Sequence, residues 1–98
     1  MVLEHVLLPV KAGQELAFEQ AFAQAKHLIV ASPGCGGVRL CREIENPGTY
    51  VLLVEWDQLS DHLEGFRKSP AYEQWRALLH HHYDPAPVVE HFEPVDSA

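Results

Sequence analysis

The chain has 98 residues, 47% of them apolar and 21% charged, which is typical of a single globular domain over residues 1–98. No apolar run approaches the roughly 18 residues of a membrane span, and the start, MVLEHVLLPV, lacks the pattern of a signal peptide, so we expect a soluble, cytoplasmic protein with no membrane partner. The formal charge of −7, without any cluster of Lys and Arg, also excludes nucleic acid as the expected partner, because binding to phosphates depends on positive charge.

The first predicted element is a strand over residues 2–10, where β-branched and leucine side chains recur. Leu3, His5 and Leu7 are predicted to lie on one of its faces, because side chains alternate along a strand. Glu4 falls among valine and leucine side chains on the other face. Both faces of this strand are therefore largely apolar.

An amphipathic helix is predicted over residues 13–31. Phe18, Phe22, Ala25 and Ile29 recur at intervals of three and four residues, which places them on one helical face. The helix is expected to end at the following Ser-Pro-Gly sequence, because proline disfavours the helical conformation of the residue before it.

Two further strands, over residues 36–45 and 49–56, flank an Asn-Pro-Gly turn and are predicted to form a hairpin. Apolar side chains occupy both faces of the strand over residues 49–56. One face carries Tyr50, Leu52, Val54 and Trp56, and the other carries Val51 and Leu53. Neither face is suited to water.

The remaining chain predicts helix and then strand. A helical segment after residue 56 breaks at the Ser-Pro of residues 69–70 and resumes over residues 71–82, with an apolar stripe on one side. A last strand is predicted over residues 88–95, and residues 96–98 are expected to fray.

The histidines admit several interpretations. Successive helical residues point about 100° apart, so His80, His81 and His82 cannot converge on one metal ion, and a solvated helix C-terminus is predicted instead. His5 and His91 are predicted to share a face, because the first and last strands should be antiparallel neighbours. Hydrogen bonding in a dimer interface and an acid/base or metal cluster are both open roles for that pair.

The order strand, helix, strand, strand, helix, strand resembles a ferredoxin-like α+β sandwich. In this fold a four-stranded antiparallel sheet is covered by helices on one face. Because the strands over residues 2–10 and 49–56 are apolar on both faces, the uncovered face is predicted to pack against the same face of a second subunit. A homodimer joined through this sheet face is expected.

Four short motifs carry a family resemblance: PGC at residues 33–35, EW at 55–56, HLEGFRKS at 62–69 and PVVEHFE at 87–93. Their order and spacing resemble the antibiotic biosynthesis monooxygenase family of dimeric α/β barrels. The resemblance implies a homodimer that acts on a small aromatic substrate. In the quinone-forming branch, O2 reacts directly with a phenol or hydroquinone, so no cofactor and no metal are expected.

The same resemblance implies candidate site residues. The quinone-forming branch has an Asn four residues before the strand-end Trp and a Tyr six residues after it. Here Trp56 is retained, while Leu52 and His62 occupy the other two positions. Trp56 and His62, with His5 as a further proton-handling candidate, are the predicted catalytic residues, and Trp56 is also expected to form part of the ring-binding wall. The predicted substrate-binding residues are Leu52, Phe66, Tyr72 and Trp75.

Two other functions stay open. Leu52 in place of the amide favours a non-catalytic, small-molecule-binding or stress-associated dimer of the same fold. Haem binding or degradation is disfavoured, because the positions that the haem-degrading branch uses correspond to His5, Phe66 and Arg76, and arginine stays protonated and cannot ligate iron.

Overall fold

The computed structural model describes residues 1–96, so residues 97–98 of the predicted tail lie outside it. The helices and strands are β1 (Val2–Pro9), α1 (Glu15–Val30), β2 (Cys35–Arg42), β3 (Thr49–Trp56), α2 (Pro70–Leu79) and β4 (Val88–Phe92). Within the described residues, no helix is both long enough and apolar enough to cross a membrane.

The four strands form one antiparallel sheet in the order β2-β3-β1-β4. Both helices lie on the same face of this sheet, and their inward side chains form the core with the inward side chains of β1 and β3. The ferredoxin-like α+β fold predicted from the sequence is confirmed. The predicted strand ends were too long, since β2 ends at Arg42 and β4 at Phe92.

The inward face of β3 is the centre of the core. Tyr50, Leu52, Val54 and Trp56 alternate along the strand and are no more than 3% exposed. Cross-strand pairing puts Val54 opposite Glu4 of β1. Because directly paired residues point to the same face, Glu4 is held among apolar side chains at 4% exposure.

The outward face of the sheet carries the other half of each strand. Leu7 pairs with Val51 of β3 and Val88 of β4, and Leu3 pairs with Phe92. Leu7 and Phe92 remain 41% and 51% exposed. The apolar, helix-free face expected from the sequence is therefore present.

The pairing of β1 with β4 corrects one prediction about the histidines. His91 pairs with Glu4 and points towards the helices, whereas His5 pairs with Glu90 and points to the outward face. The prediction that His5 and His91 share a face is wrong, because the β1–β4 register differs by one residue from the one that would bring them together.

The histidine run also differs from its prediction. Helix α2 ends at Leu79, and residues 80–82 form a tighter 3-10 turn that leads the chain back to the end of β1, where the His82 carbonyl accepts a hydrogen bond from the Lys11 N–H. His82 is 7% exposed, with Nδ1 3.1 Å from Gln14 Oε1. A solvated position was the wrong prediction for His82, since this turn directs its ring inward.

Two glycines with positive φ provide a first test of the fold. Gly34 (φ 87°) follows α1, and a Cβ there would lie 2.3 Å from Cγ of Asp61; Gly13 (φ 85°) has open space around it. Gly13→Ala is expected to cost about 1 kcal/mol of unfolding free energy, from backbone strain alone. Gly34→Ala is expected to cost about 3 kcal/mol, because Asp61 must also move. Urea unfolding measures both, and equal losses would show that the contact with Asp61 is unimportant.

Candidate active site

A cavity of about 160 Å³ lies between the sheet and the helices. All four residues predicted to bind substrate, Leu52, Phe66, Tyr72 and Trp75, belong to its wall. The rest of the wall is Glu4, Val6, Leu8, Ile29, His62, Arg67, His80, Tyr83, Pro87 and Val89. Because Arg67 and Val89 are exposed while Leu52 and Phe66 are buried, the cavity meets the surface between the turn that precedes α2 and strand β4.

The aromatic part of this wall has a defined geometry. The Phe66 ring meets Tyr72 at 5.6 Å between centroids and Trp75 at 5.7 Å, both edge to face. Helix α2 begins where the Ser69 hydroxyl accepts a hydrogen bond from the Tyr72 N–H at 3.2 Å, with Pro70 in the first turn. This cap fixes the start of α2, and with it the direction of Tyr72 and Trp75.

His62 reaches the cavity from a short π-helical turn, Asp61–Phe66, where an ordinary helical segment was predicted. The Arg67 N–H donates to the His62 carbonyl at 2.9 Å, five residues back, which is the hydrogen bond of a π-turn. The Asp61 carboxylate accepts from the Gln58 N–H at 3.0 Å and steadies the start of the turn. Both His62 and Phe66 are thereby directed inward and buried.

Three side chains from distant parts of the sequence meet beside the cavity. Trp56 Nε1 donates a hydrogen bond to Glu4 Oε1 at 2.9 Å, and the same oxygen lies 3.4 Å from His62 Nε2. The His62 ring stacks on Trp56, 5.4 Å between centroids and 15° from parallel. Trp56 itself is not among the residues of the cavity wall, so its place is behind His62 rather than in a ring-binding wall.

The second nitrogen of His62 continues the chain of polar contacts. His62 Nδ1 lies 2.8 Å from Nε2 of His91, which is a hydrogen-bond distance. One hydrogen sits between two neutral imidazoles, so one ring is donor and the other acceptor. Glu4, His62 and His91 therefore form a continuous series of polar contacts that runs from the cavity to β4 at the edge of the sheet.

Burial shifts the pKa values of this cluster in opposite directions. It raises the pKa of the Glu4 carboxyl, and the hydrogen bond from Trp56 and the charge of Arg67 reverse only part of that rise. Burial, assisted by the positive charges of His91 and Arg67, lowers the pKa of His62 to about 4. His62 is thus neutral near pH 7.

His5 lies away from this cluster. Its ring is on the outward face, 5.8 Å from the Phe92 ring. Its Nδ1 atom is buried and has no hydrogen-bond partner within residues 1–96. The structure does not bring His5 to the cavity.

Sequence reasoning missed Glu4 and Arg67 as site residues and assigned His91 to the wrong neighbour. Glu4 had a detectable signal, because a charged side chain at an inward strand position is seldom buried without a partner. Arg67 lies in the HLEGFRKS motif of residues 62–69, which indicates the family but gives no sign of a role for this residue in the site. Across residues 1–96, no group of three or more His, Cys, Asp or Glu side chains is arranged to hold a metal ion.

The protein is a ferredoxin-like α+β sandwich that has an aromatic cavity beside a buried acid–imidazole pair. The family model of the antibiotic biosynthesis monooxygenases matches residues 1–78. The chain therefore belongs to the antibiotic biosynthesis monooxygenase family.

Individual relatives agree with this assignment. The chain is 47% identical over 95 residues to YczJ, an uncharacterized protein of Bacillus subtilis (strain 168), covering 97% of this chain and 100% of the relative. A solved Bordetella bronchiseptica structure, named as an antibiotic biosynthesis monooxygenase, matches with a TM-score of 0.92 and 36% identity over 96% of each chain. SnoaB, a cofactor-independent oxygenase from Streptomyces nogalater, shares the fold with a TM-score of 0.85 and 19% identity, over 98% of this chain and 94% of its own.

Proposed function

We propose that the protein is a monooxygenase that oxidises a small phenolic or quinol-type aromatic with O2 and needs no cofactor. The observation that carries this proposal is the contact of Glu4 with His62 in the wall of an aromatic cavity, extended by the contact of His62 with His91 on β4. Family membership supports the class of reaction, and SnoaB provides a precedent for oxygenation without a cofactor on this fold.

The proposed reaction begins with removal of a phenolic proton. Neutral His62 accepts that proton at Nε2, and the Glu4 carboxylate 3.4 Å away stabilises the imidazolium that forms. The 2.8 Å contact with His91 allows a proton to leave His62 from its other nitrogen. Burial of His62 and Glu4 limits competing water, so the electron-rich phenolate forms in a dry site.

The phenolate then supplies the electrons. It reduces O2, and a ring carbon that is ortho or para to the oxygen and carries a hydrogen forms a bond with the reduced oxygen to give a hydroperoxide. Cleavage of the O–O bond with loss of the C–H proton gives the quinone and water. One oxygen atom enters the product, the other leaves as water, and the substrate supplies all four electrons, so no external reductant is required.

The test is oxygen uptake by the purified protein with a panel of phenols and hydroquinones. With 18O2 as the oxidant, the quinone formed should carry one labelled oxygen atom, measured by mass spectrometry. Uptake no greater than that of a heat-denatured sample across the whole panel would refute the proposed reaction.

We also propose that the outward face of the sheet joins two copies of the chain. Leu7→Lys places a charge at the middle of that face, where burial in a dimer would leave it unpaired. Leu16→Lys on α1 is the matched control, because Leu16 is 69% exposed and lies on the helix side. We expect wild type and Leu16→Lys to sediment as dimers at micromolar concentration and Leu7→Lys as a monomer. A monomeric wild type would contradict the proposal.

One observation favours a second function. Leu52 is 3% exposed and occupies the cavity wall where the quinone-forming branch carries an amide, so one polar group that would hold an oxyanion is missing. A non-catalytic dimer that binds a small aromatic is the corresponding alternative. Tight binding of a hydroquinone without oxygen uptake would favour it.

A further inference from the structure

We infer that the cavity selects single-ring aromatics that carry a carboxylate, and that Arg67 is the residue that recognises this anionic group. The inference rests on the proposed function only in treating the bound aromatic as the substrate, because the binding itself is argued from the cavity wall.

Cavity size limits the ligand to about one ring. The volume of about 160 Å³ is close to the ~150 Å³ of an engineered apolar cavity that accommodates benzene. Phe66 and Trp75 form an aromatic wall, and Leu52 lies in the same cavity wall. A fused three-ring substrate would need more space than this wall encloses.

Arg67 holds a position that suits recognition of an anion. It follows the π-helical turn directly, and its backbone N–H is tied to the His62 carbonyl at 2.9 Å. Its guanidinium lies 5.7 Å from the centre of the Tyr72 ring, a cation–π distance that keeps the side chain against the wall of the cavity. The backbone of Arg67 is thus fixed by the π-turn, and its guanidinium lies against Tyr72.

The guanidinium of Arg67 forms no salt bridge with any residue that the structure describes. None of the salt bridges within residues 1–96 involves Arg67, whereas its neighbour Lys68 pairs with Glu64. A planar guanidinium binds a carboxylate through two parallel N–H···O hydrogen bonds, a geometry that a lysine does not reproduce. The Arg67 guanidinium at the opening of the cavity is therefore suited to bind a carboxylate on the aromatic ring.

Arg67 is the permanent positive charge of the cavity wall, because the other titratable groups around the cavity are not positively charged near pH 7. Burial lowers the pKa values of His62, His80 and His91, with the charge of Arg67 contributing to each, so these rings are neutral near pH 7. Burial raises the pKa of Tyr83, which is therefore a neutral phenol at that pH, and Glu4 is the one acid among the residues of the wall. The Glu4 carboxylate is engaged by Trp56 and His62, and it forms no salt bridge with Arg67 within residues 1–96.

The overall charge of the protein opposes an anion only weakly. The formal charge is −7, but charges farther than about 8 Å from the ligand are largely screened at physiological ionic strength. The nearby guanidinium of Arg67 therefore determines whether the cavity prefers an anionic or a neutral ligand. Because Arg67 lies at the exposed end of the cavity, a ring carboxylate would face the opening while the phenol approaches His62.

Calorimetric titration at pH 7.5 tests the inference without relying on turnover. The ligands are 2,5-dihydroxybenzoate and its methyl ester, which has the same ring but no charge. We expect wild type to bind the acid at least ten times more tightly than the ester. Arg67→Gln should remove that preference, Arg67→Lys should retain part of it, and Lys68→Gln should retain all of it.

Equal affinity of wild type for acid and ester would overturn the inference, as would an Arg67→Gln variant that keeps the preference. Arg67→Lys retains the charge and serves as the second variant if Arg67→Gln fails to fold, since the same loss of the two-point hydrogen bond then appears as a reduced preference. Failure of the proposed oxygenase function is a separate result, because it appears as binding of the acid without oxygen uptake.

Discussion

His62→Ala is expected to lower oxygenase turnover by about 100- to 10,000-fold, the range that a positioned general base supplies. His62 is the only imidazole that contacts the buried carboxylate of Glu4 within the described residues, and it also forms part of the cavity wall. Its removal takes away the imidazole that would accept the phenolic proton and pass it to His91. Initial rates of oxygen uptake with the best substrate of the panel measure the loss.

Two further variants make this result specific. Glu4→Gln keeps an oxygen that can accept the Trp56 hydrogen bond but removes the charge that stabilises the His62 imidazolium, so a loss of at least tenfold is expected. His27→Ala is the matched control, because His27 is exposed on α1 and should retain full turnover. If His62→Ala keeps more than half of the wild-type rate while it remains folded, His62 is not the base.

Acidic pH is expected to destabilise the folded wild-type protein through protonation of His62. The pKa of His62 is about 4 in the folded state against 6.5 for the free side chain, so the unfolded state binds more protons between these values. The contribution of His62 to stability is therefore complete above pH 6.5 and is lost as the pH falls through 4. Between pH 7 and pH 4.5 it should decrease by about 2 kcal/mol.

Glu4 acts in the opposite direction, because its raised pKa makes proton uptake by the folded state favourable as the pH falls. The measurement therefore compares Glu4→Gln with the double variant Glu4→Gln/His62→Gln, which removes the opposing effect from both. Urea unfolding at pH 7 and pH 4.5 should show a steeper loss when His62 is present. Equal losses in the two variants would show that His62 titrates normally.

The backbone pattern of this chain was predictable because it depends on periodicity. Alternation along residues 49–56 gave the buried face of β3, and the three- and four-residue spacing of Phe18 and Phe22 gave the inward face of α1. The Ser-Pro pair at residues 69–70 marked the start of α2. Each of these features is local, so each was visible without knowledge of the tertiary fold.

The site was less predictable because it depends on the register of β1 against β4 and on a π-helical turn in place of an α-helical one. Glu4 is paired with His91 because of the β1–β4 register. A register shifted by one residue would have paired His5 with His91 instead. His62 is directed inward by a π-helical turn, whereas the sequence of that segment suggested an ordinary helix. Neither feature leaves a periodic signal. The aromatic residues of the wall were found because they share the apolar stripe of α2 and the segment before it.

The hydrogen bond between the two imidazoles connects the interior with the periphery. When the shared hydrogen belongs to His62, His91 must offer a lone pair at Nε2, and when it belongs to His91 the assignment reverses. The tautomer of the enclosed ring is thus correlated with the tautomer of a ring on the outermost strand. Nitrogen chemical shifts of the accessible histidine would report on the state of the hidden one.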